Sequence, residues 1–206
     1  MRVLITAGPT YEPIDPVRFI GNRSSGKMGA AIVHAAAATN DVTAILGPIQ
    51  VPINGDIHRI DIQTADEMLQ AVMREFPNHD LLIMAAAVAD YRPKSSSSAK
   101  LARKGDLILE LESTPDILAA AGKMKKPGQR TVGFSLESTP DLGRVRRKML
   151  DKNLDMIVYN PLATLGSEKI DATLLWPDGR EEKLPSLSKA DFADILLKRS
   201  MELFSR

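Results

Sequence analysis

Short apolar runs alternate with longer amphipathic stretches along the chain, and this alternation limits the possible folds more than any other feature. Residues 3–6, 42–46, 57–62, 81–86, 131–134 and 156–159 read as buried strands, several of them β-branched. Between and after them lie helical patterns at 28–39, 65–76, 115–123, 142–153 and 189–204. Thr64 followed by Glu67 is a capping-box pattern. Thr114 followed by Pro115 supplies a cap and a proline at the first helical position, and Pro140 with Asp141 opens the next helix similarly. The alternation predicts an α/β fold: a doubly wound, Rossmann-like, mostly parallel sheet with helices on both faces and right-handed crossovers. With 206 residues and no repeat or linker, we expect one domain over residues 1–206. Two segments depart from the pattern. Residues 93–105 (PKSSSSAKLARKG) are polar and basic, which predicts a mobile flap. Residues 172–176 and 180–184 flank Pro177-Asp178-Gly179, which predicts a C-terminal hairpin.

Composition excludes several classes. Lys and Arg total 27 against 26 Asp and Glu, so the net basic footprint of a dedicated nucleic-acid binder is missing. The chain has no cysteine, hence no disulfide, thiolate metal site or cysteine nucleophile; this suits the cytoplasm. The apolar start is too short for a signal peptide, and no stretch reaches the ~20 apolar residues that span a bilayer, so we expect no membrane partner. His34, His58 and His79 show no metal-ligand spacing, and the sequence identifies no metal ligands.

In doubly wound sheets ligands bind beyond the carboxyl ends of the strands, and the informative residues fall there. Residues 19–30 (FIGNRSSGKMGA) run a loop rich in Gly, Ser and cations into a helix start. Unpaired N–H groups, the helix dipole and close backbone approach at glycine suit such a loop to an anion. Residues 21–28 (GNRSSGKM) nearly match a P-loop, but Met28 stands where the metal-binding hydroxyl belongs, and no strand directly precedes the loop. Ala85, Ala86 and Ala87 at a strand end serve either for packing or as a platform for a base or ribose. Asp90 is either a turn residue or a ligand for ribose or metal. Arg144, Lys148 and Lys152 share one helix face; such a stripe is either solvated or neutralised by a polyphosphate, and few carboxylates nearby offset it. Lys100, Arg103 and Lys104 are solubilising charges or a lid that closes over a phosphate. No GxGxxG follows the first strand and no GxSxG elbow exists, which argues against a dinucleotide oxidoreductase and a serine hydrolase. The residues alone point to an enzyme that handles a phosphate or nucleotide, converging on a single pocket. A kinase and a non-catalytic nucleotide sensor are the alternatives.

Several stretches, in order, closely resemble the bacterial phosphopantothenate–cysteine ligase family of coenzyme A biosynthesis. They are ITAGPTYEPIDPVRFIGNRSSGKMG (5–29), AAVADYRP (86–93), a lysine ten residues past Asp90, TPDIL (114–118), VGF (132–134) and RKMLDKNLD (147–155) followed by IVYN. The resemblance implies a two-step ligation. A carboxylate of 4′-phosphopantothenate attacks the α-phosphate of CTP, giving an acyl-cytidylate and pyrophosphate; the amine of L-cysteine then displaces CMP and forms an amide. Mg²⁺ would offset phosphate charge. By position, the resemblance implies that Asn22 holds the acyl-cytidylate and Lys100 stabilises its formation. It implies nucleotide contacts from Met84, Ala85, Ala86, Asp90, Lys100, Pro115, Asp116, Ile117, Leu118 and Phe134, with Lys148 and Lys152 on the triphosphate. Arg18, Asn22 and Gly26 would bind substrate. The family implies a homodimer with the active site near the subunit interface, ATP in place of CTP among eukaryotic relatives, and, in many bacteria, fusion to a flavin-dependent decarboxylase. The flap departs from the family's usual EKIKK: it reads AKLARK, and Ala102 replaces a cation.

Overall fold

The apolar runs become neighbouring strands, and the central ones are buried on both faces; the run at 57–62, expected to be buried, is instead an exposed edge strand in which His58, Arg59 and Asp61 face solvent. The computed structural model describes residues 1–49, 51–139, 141–164 and 166–205. In chain order the main elements are β1 (Arg2–Ala7), α1 (Lys27–Ala37), β2 (Asp41–Leu46), β3 (His58–Asp61), α2 (Ala65–Glu75), β4 (Leu81–Met84), α3 (Ile117–Met124), β5 (Arg130–Glu137), α4 (Leu142–Asp151), β6 (Met156–Pro161), β7 (Thr173–Leu175), β8 (Glu181–Lys183) and α5 (Lys189–Met201). They form an eight-stranded sheet in the order β3-β2-β1-β4-β5-β6-β7-β8. The first six run parallel. The predicted C-terminal hairpin supplies β7 and β8, antiparallel at the edge. Val3 and Ile5 pack with Ile32, Val33, Phe192 and Leu196 of α1 and α5, whereas Leu4 packs with Met68, Val72, Ile117, Val145 and Met149 of α2, α3 and α4. This two-sided burial explains why the strands read as continuous apolar runs.

Helix starts follow their caps. The Thr64–Glu67 capping box forms, with the Glu67 amide 3.2 Å from Thr64 Oγ1 and the Thr64 amide 3.0 Å from Glu67 Oε2. Asp141 caps α4 by accepting from the Arg144 amide at 2.9 Å; Pro140 lies outside the described residues. One cap differs from expectation. Asp116, not Thr114, caps α3, accepting from the Ala119 amide at 3.0 Å, so Pro115 stands outside the helix. The run at 81–86 also stops short, because Ala85, Ala86 and Ala87 turn out of the sheet at Met84.

Two three-residue ribbons escaped the sequence reading: Tyr11–Pro13 with Phe19–Gly21, and Tyr91–Pro93 with Leu111–Ser113. Both are tied to the start of α2. Glu12, buried, accepts from the Ala65 amide at 2.9 Å, and the Tyr11 amide donates to the Gln63 carbonyl at 2.7 Å. Arg92 pairs with Asp66 and, at 2.8 Å, with Glu112. The flap hangs from the second ribbon, so the loop runs over 94–110 rather than ending at Gly105.

Candidate functional site

In the order 3-2-1-4-5-6 successive strands are added on one side of β1 as far as β3 and on its other side from β4, and a crevice opens between β1 and β4 beyond their carboxyl ends. The segments leaving the two strands are laced together. The Ala85 amide donates to the Thr6 carbonyl at 3.1 Å, the Ala87 amide to the Gly8 carbonyl at 2.9 Å, and the Ala89 amide to Thr10 Oγ1 at 2.9 Å. Ala86 and Ala87 thereby form a sill across the crevice, with a cavity on either side.

The smaller cavity, about 200 Å³, lies at the N-terminus of α1 and is lined by Arg23, Ser24, Ser25, Gly26, Lys27, Met28 and Gly29, with Ala85, Phe134, Asn160, Lys169 and Lys189 opposite. Gly26 enters the helix at φ 74° with no side-chain cap on α1. A Cβ there would sit 2.3 Å from Ile49 Cγ2, so glycine is needed for both conformation and space. Gly29 lets α1 lie against β1: its Cβ would fall 2.3 Å from that of Ala7. The Lys27–Glu168 ion pair joins the helix start to the segment before α5, and burial pushes the pKa of Lys189 down.

The larger cavity, about 940 Å³, brings together Asn22, Met84, Asp90, Pro115, Asp116, Ile117, Leu118, Phe134, Arg144, Lys148 and Lys152. Asn22 Nδ2 donates to the carbonyls of Ala87 at 3.2 Å and Val88 at 2.9 Å, leaving its side-chain oxygen as an acceptor. Lys148 is part-buried, and this, reinforced by Lys152, pushes its pKa below the usual 10.5. Its Nζ donates to Ser135 Oγ at 3.3 Å, and Ser135 donates to Glu137 at 2.7 Å. Lys152 lies 2.8 Å from Asp116. Burial would raise the Asp116 pKa, but the bonds from Lys152 and the Ala119 amide, with the fields of Lys152 and Lys148, hold it below the normal value.

Two sequence expectations are corrected here, and two predicted site residues fall outside both cavities. The crevice has two adjoining lobes rather than one undivided pocket: Gly26 and Ala85 line the smaller, Lys148 and Lys152 the larger, while Arg23, Ser24, Ala86, Ala87, Phe134 and Leu136 line both. The basic stripe is offset by carboxylates, since Glu137 stands 3.8 Å from Arg144 and Asp116 pairs with Lys152. Lys100 lines neither cavity; it stands next to Leu101, where the flap is tied down. Arg18 lines neither, because its guanidinium is engaged by Asp15 and the Leu101 carbonyl. The near-P-loop is also set apart from β1 by the first ribbon. The sequence reading missed Ser135, Glu137, Asn160, Lys169 and Lys189. A polar residue at the carboxyl end of an apolar strand, as at Ser135 and Asn160, is the signal that could have found two of them.

A doubly wound sheet with a lysine-lined crevice at its switch point defines a Rossmann-like α/β domain whose candidate site is lined by more cations than carboxylates. Comparison with known proteins narrows this. The family model for the DNA/pantothenate metabolism flavoprotein C-terminal domain matches residues 1–203, and the chain belongs to that family. A cysteine/cysteine sulfinic acid decarboxylase from an unknown prokaryotic organism is 43% identical, over 98% of this chain and 58% of the relative. The coenzyme A biosynthesis bifunctional protein CoaBC of Vibrio cholerae is 42% identical, over 95% of this chain and 51% of the relative. The chain therefore spans a little over half the length of these curated relatives. The crystal structure of the C-terminal domain of a coenzyme A biosynthesis bifunctional protein CoaBC superposes with a TM-score of 0.86 at 38% identity, covering all of this chain and 96% of that one.

Proposed function

We propose that residues 1–206 form a single ligase domain that joins 4′-phosphopantothenate to L-cysteine at the expense of CTP, in coenzyme A biosynthesis. The reaction runs through an acyl-cytidylate and yields 4′-phosphopantothenoylcysteine, CMP and pyrophosphate. The observation that carries this reading is the larger cavity's pairing of Lys148 and Lys152 with the Asp116-capped start of α3, separated by a sill of two alanines from a second cavity at the start of α1. Two helix N-termini and two lysines suit a nucleotide triphosphate and a second phosphate. The family membership and the CoaBC relatives support the same substrates.

In this reading Lys148 and Lys152 bind the triphosphate, and an arriving phosphate competes with Ser135 and Asp116 for their ammonium groups. Met84, Ala85, Ala86, Ile117, Leu118 and Phe134 enclose the base and ribose, with Pro115 and Asp116 opening α3 toward the phosphates. The substrate carboxylate attacks the α-phosphorus, and pyrophosphate leaves. The cysteine amine then attacks the activated carbonyl, CMP leaves and the amide forms. Asn22 stands on the wall beside the sill, where its free acceptor oxygen suits the proton of an attacking amine. Gly26 opens α1 toward the substrate. Lys100 stabilises the reacting phosphate from the flap, and Arg18 stands behind the flap, bonded to the Leu101 carbonyl. The oxygen donors of the cavity fit Mg²⁺: Asp90 makes no hydrogen bond or ion pair through its carboxylate among the described residues, whereas Asp116 is engaged by Lys152. Mg²⁺ held by Asp90 and the nucleotide phosphates would neutralise charge on the triphosphate.

The domain acts as a homodimer. The ribbons and flap leave Val17, Phe19, Tyr91, Leu107, Ile108 and Leu111 exposed, which a second copy would cover. It works in the cytoplasm, fused to or associated with a flavin-dependent phosphopantothenoylcysteine decarboxylase. The described residues contain no helix long and apolar enough to cross a membrane. A product assay with labelled CTP tests the whole reading. Pyrophosphate release that requires phosphopantothenate, and CMP release that also requires cysteine, are expected. CDP would instead identify a kinase, and binding without turnover a sensor.

A further inference from the structure

The turn at 14–18 grips the flap by its backbone. Asp15 is only 3% exposed. Its Oδ1 accepts from the amides of Val17 and Arg18, both at 2.8 Å. Its Oδ2 accepts from Arg18 Nε at 2.9 Å, from Arg18 Nη2, and from the amide of Leu101 at 3.1 Å. Arg18 Nη2 also donates to the Leu101 carbonyl at 2.8 Å. One flap residue thus has both of its backbone polar groups held by one acid–base pair. A second tie runs from the Ser97 amide to the Ile14 carbonyl at 2.9 Å. Neither Asp15 nor Arg18 lines either of the two cavities described, and the residue next to Leu101 is Lys100.

We propose that Asp15 and Arg18 are positioning residues: together they clamp the Leu101 peptide and so set where Lys100 stands. This deepens the ligase reading and rests on it. The physical reason is the burial of Asp15. A carboxylate out of water needs donors for all its lone pairs. Arg18 and the turn's own amides provide most of them, and the flap amide completes the set. Raising the flap removes a donor from a buried charge and frees a carbonyl from a guanidinium, so the docked position is favoured. The flap is therefore latched rather than freely mobile, and Arg18 acts through it rather than on a substrate phosphate.

The test uses the whole chain with the Asp15→Asn and Arg18→Lys substitutions. Without substrates, amide exchange at Leu101 and trypsin cleavage after Lys100 and Arg103 should both quicken at least tenfold in each variant. In the ligase assay kcat should fall about tenfold to a hundredfold, since small misplacements of a reacting group cost that much. KM for phosphopantothenate should move less than about twofold, as expected when a residue leaves ground-state binding alone. On a Lys100→Gln background, Asp15→Asn should lower kcat no further. Unchanged Leu101 exchange overturns the clamp. So does a raised KM at unchanged kcat in Arg18→Lys, which would make that arginine a substrate ligand, or an Asp15→Asn loss that persists in full without Lys100. Should Asp15→Asn fail to fold, Arg18→Lys carries the same readouts from a half-exposed position. A wild-type chain that releases no pyrophosphate would sink the ligase reading, whereas Leu101 exchange would still decide the clamp.

Discussion

Lys148 holds its charge where little water reaches it, and that makes the larger cavity sensitive to pH. Burial, with Lys152, places its pKa below 10.5. A bound polyphosphate favours the ammonium, so above the lowered pKa the anion must bind together with a proton. In the proposed ligase, affinity for CTP should thus be full below that value and fall as pH rises through it. Calorimetric titration across alkaline pH should show this fall. Lys148→Arg should delay it, and Lys148→Met should weaken CTP binding about tenfold to a hundredfold at neutral pH. Asp15 works in the opposite direction. Hydrogen bonds from Arg18 hold its carboxyl far below the ordinary 3.8, against its burial. The stability it contributes is fully present above the unfolded value and is lost as pH falls toward the folded one. Urea titrations below about pH 4 should show wild type losing stability more steeply than Asp15→Asn.

At the level of elements, Lys152 stands where it does because of how α4 ends. Asn153 adopts φ 54°, the Leu154 amide reaches the Met149 carbonyl at 2.9 Å, and the Asn153 amide reaches the Leu150 carbonyl at 3.0 Å. This is a Schellman ending, which needs a residue tolerant of the left-handed region. Asn153 Nδ2 also donates to the Gly122 carbonyl at 2.9 Å, tying α4 to α3. A Cβ on Gly122 would stand 2.0 Å from the Lys152 carbonyl oxygen. Gly122→Ala should therefore cost about 1–3 kcal/mol in denaturant titration and weaken CTP binding, since it drives Lys152 away from Asp116. The long apolar runs and the Thr64–Glu67 box were legible because two-sided burial and caps leave local marks. The three-residue ribbons were not: Tyr11–Pro13 and Tyr91–Pro93 are too short to show a period, and their anchors, Glu12 on Ala65 and Arg92 on Asp66, lie more than 25 residues away in sequence. The lysine stripe was visible, but its carboxylates, Asp116 and Glu137, come from other elements. Arg18 was singled out only through the resemblance, and only three-dimensional contact shows that it binds Leu101, the residue after Lys100, and lines neither of the two cavities.

Across the whole molecule, the ribbons and flap form one edge, fastened to α2 through Glu12, Tyr11 and Arg92. That edge bears the exposed Phe19, stacked on Tyr11 with ring centroids 3.8 Å apart, and the exposed Tyr91. If a second copy covers this surface, Phe19→Asp with Tyr91→Asp should yield monomers in sedimentation while circular dichroism stays unchanged, because neither side chain belongs to either buried core. Retention of a dimer by that variant would place the subunit contact elsewhere. The two-alanine sill has a consequence for inhibition. Fragments that each bind feebly on one side of Ala86 and Ala87 can be joined by a short bridge over those methyl groups, and the second fragment then meets its site at a local concentration in the millimolar range. A compound made this way would draw its potency from the width of the gap as much as from either end.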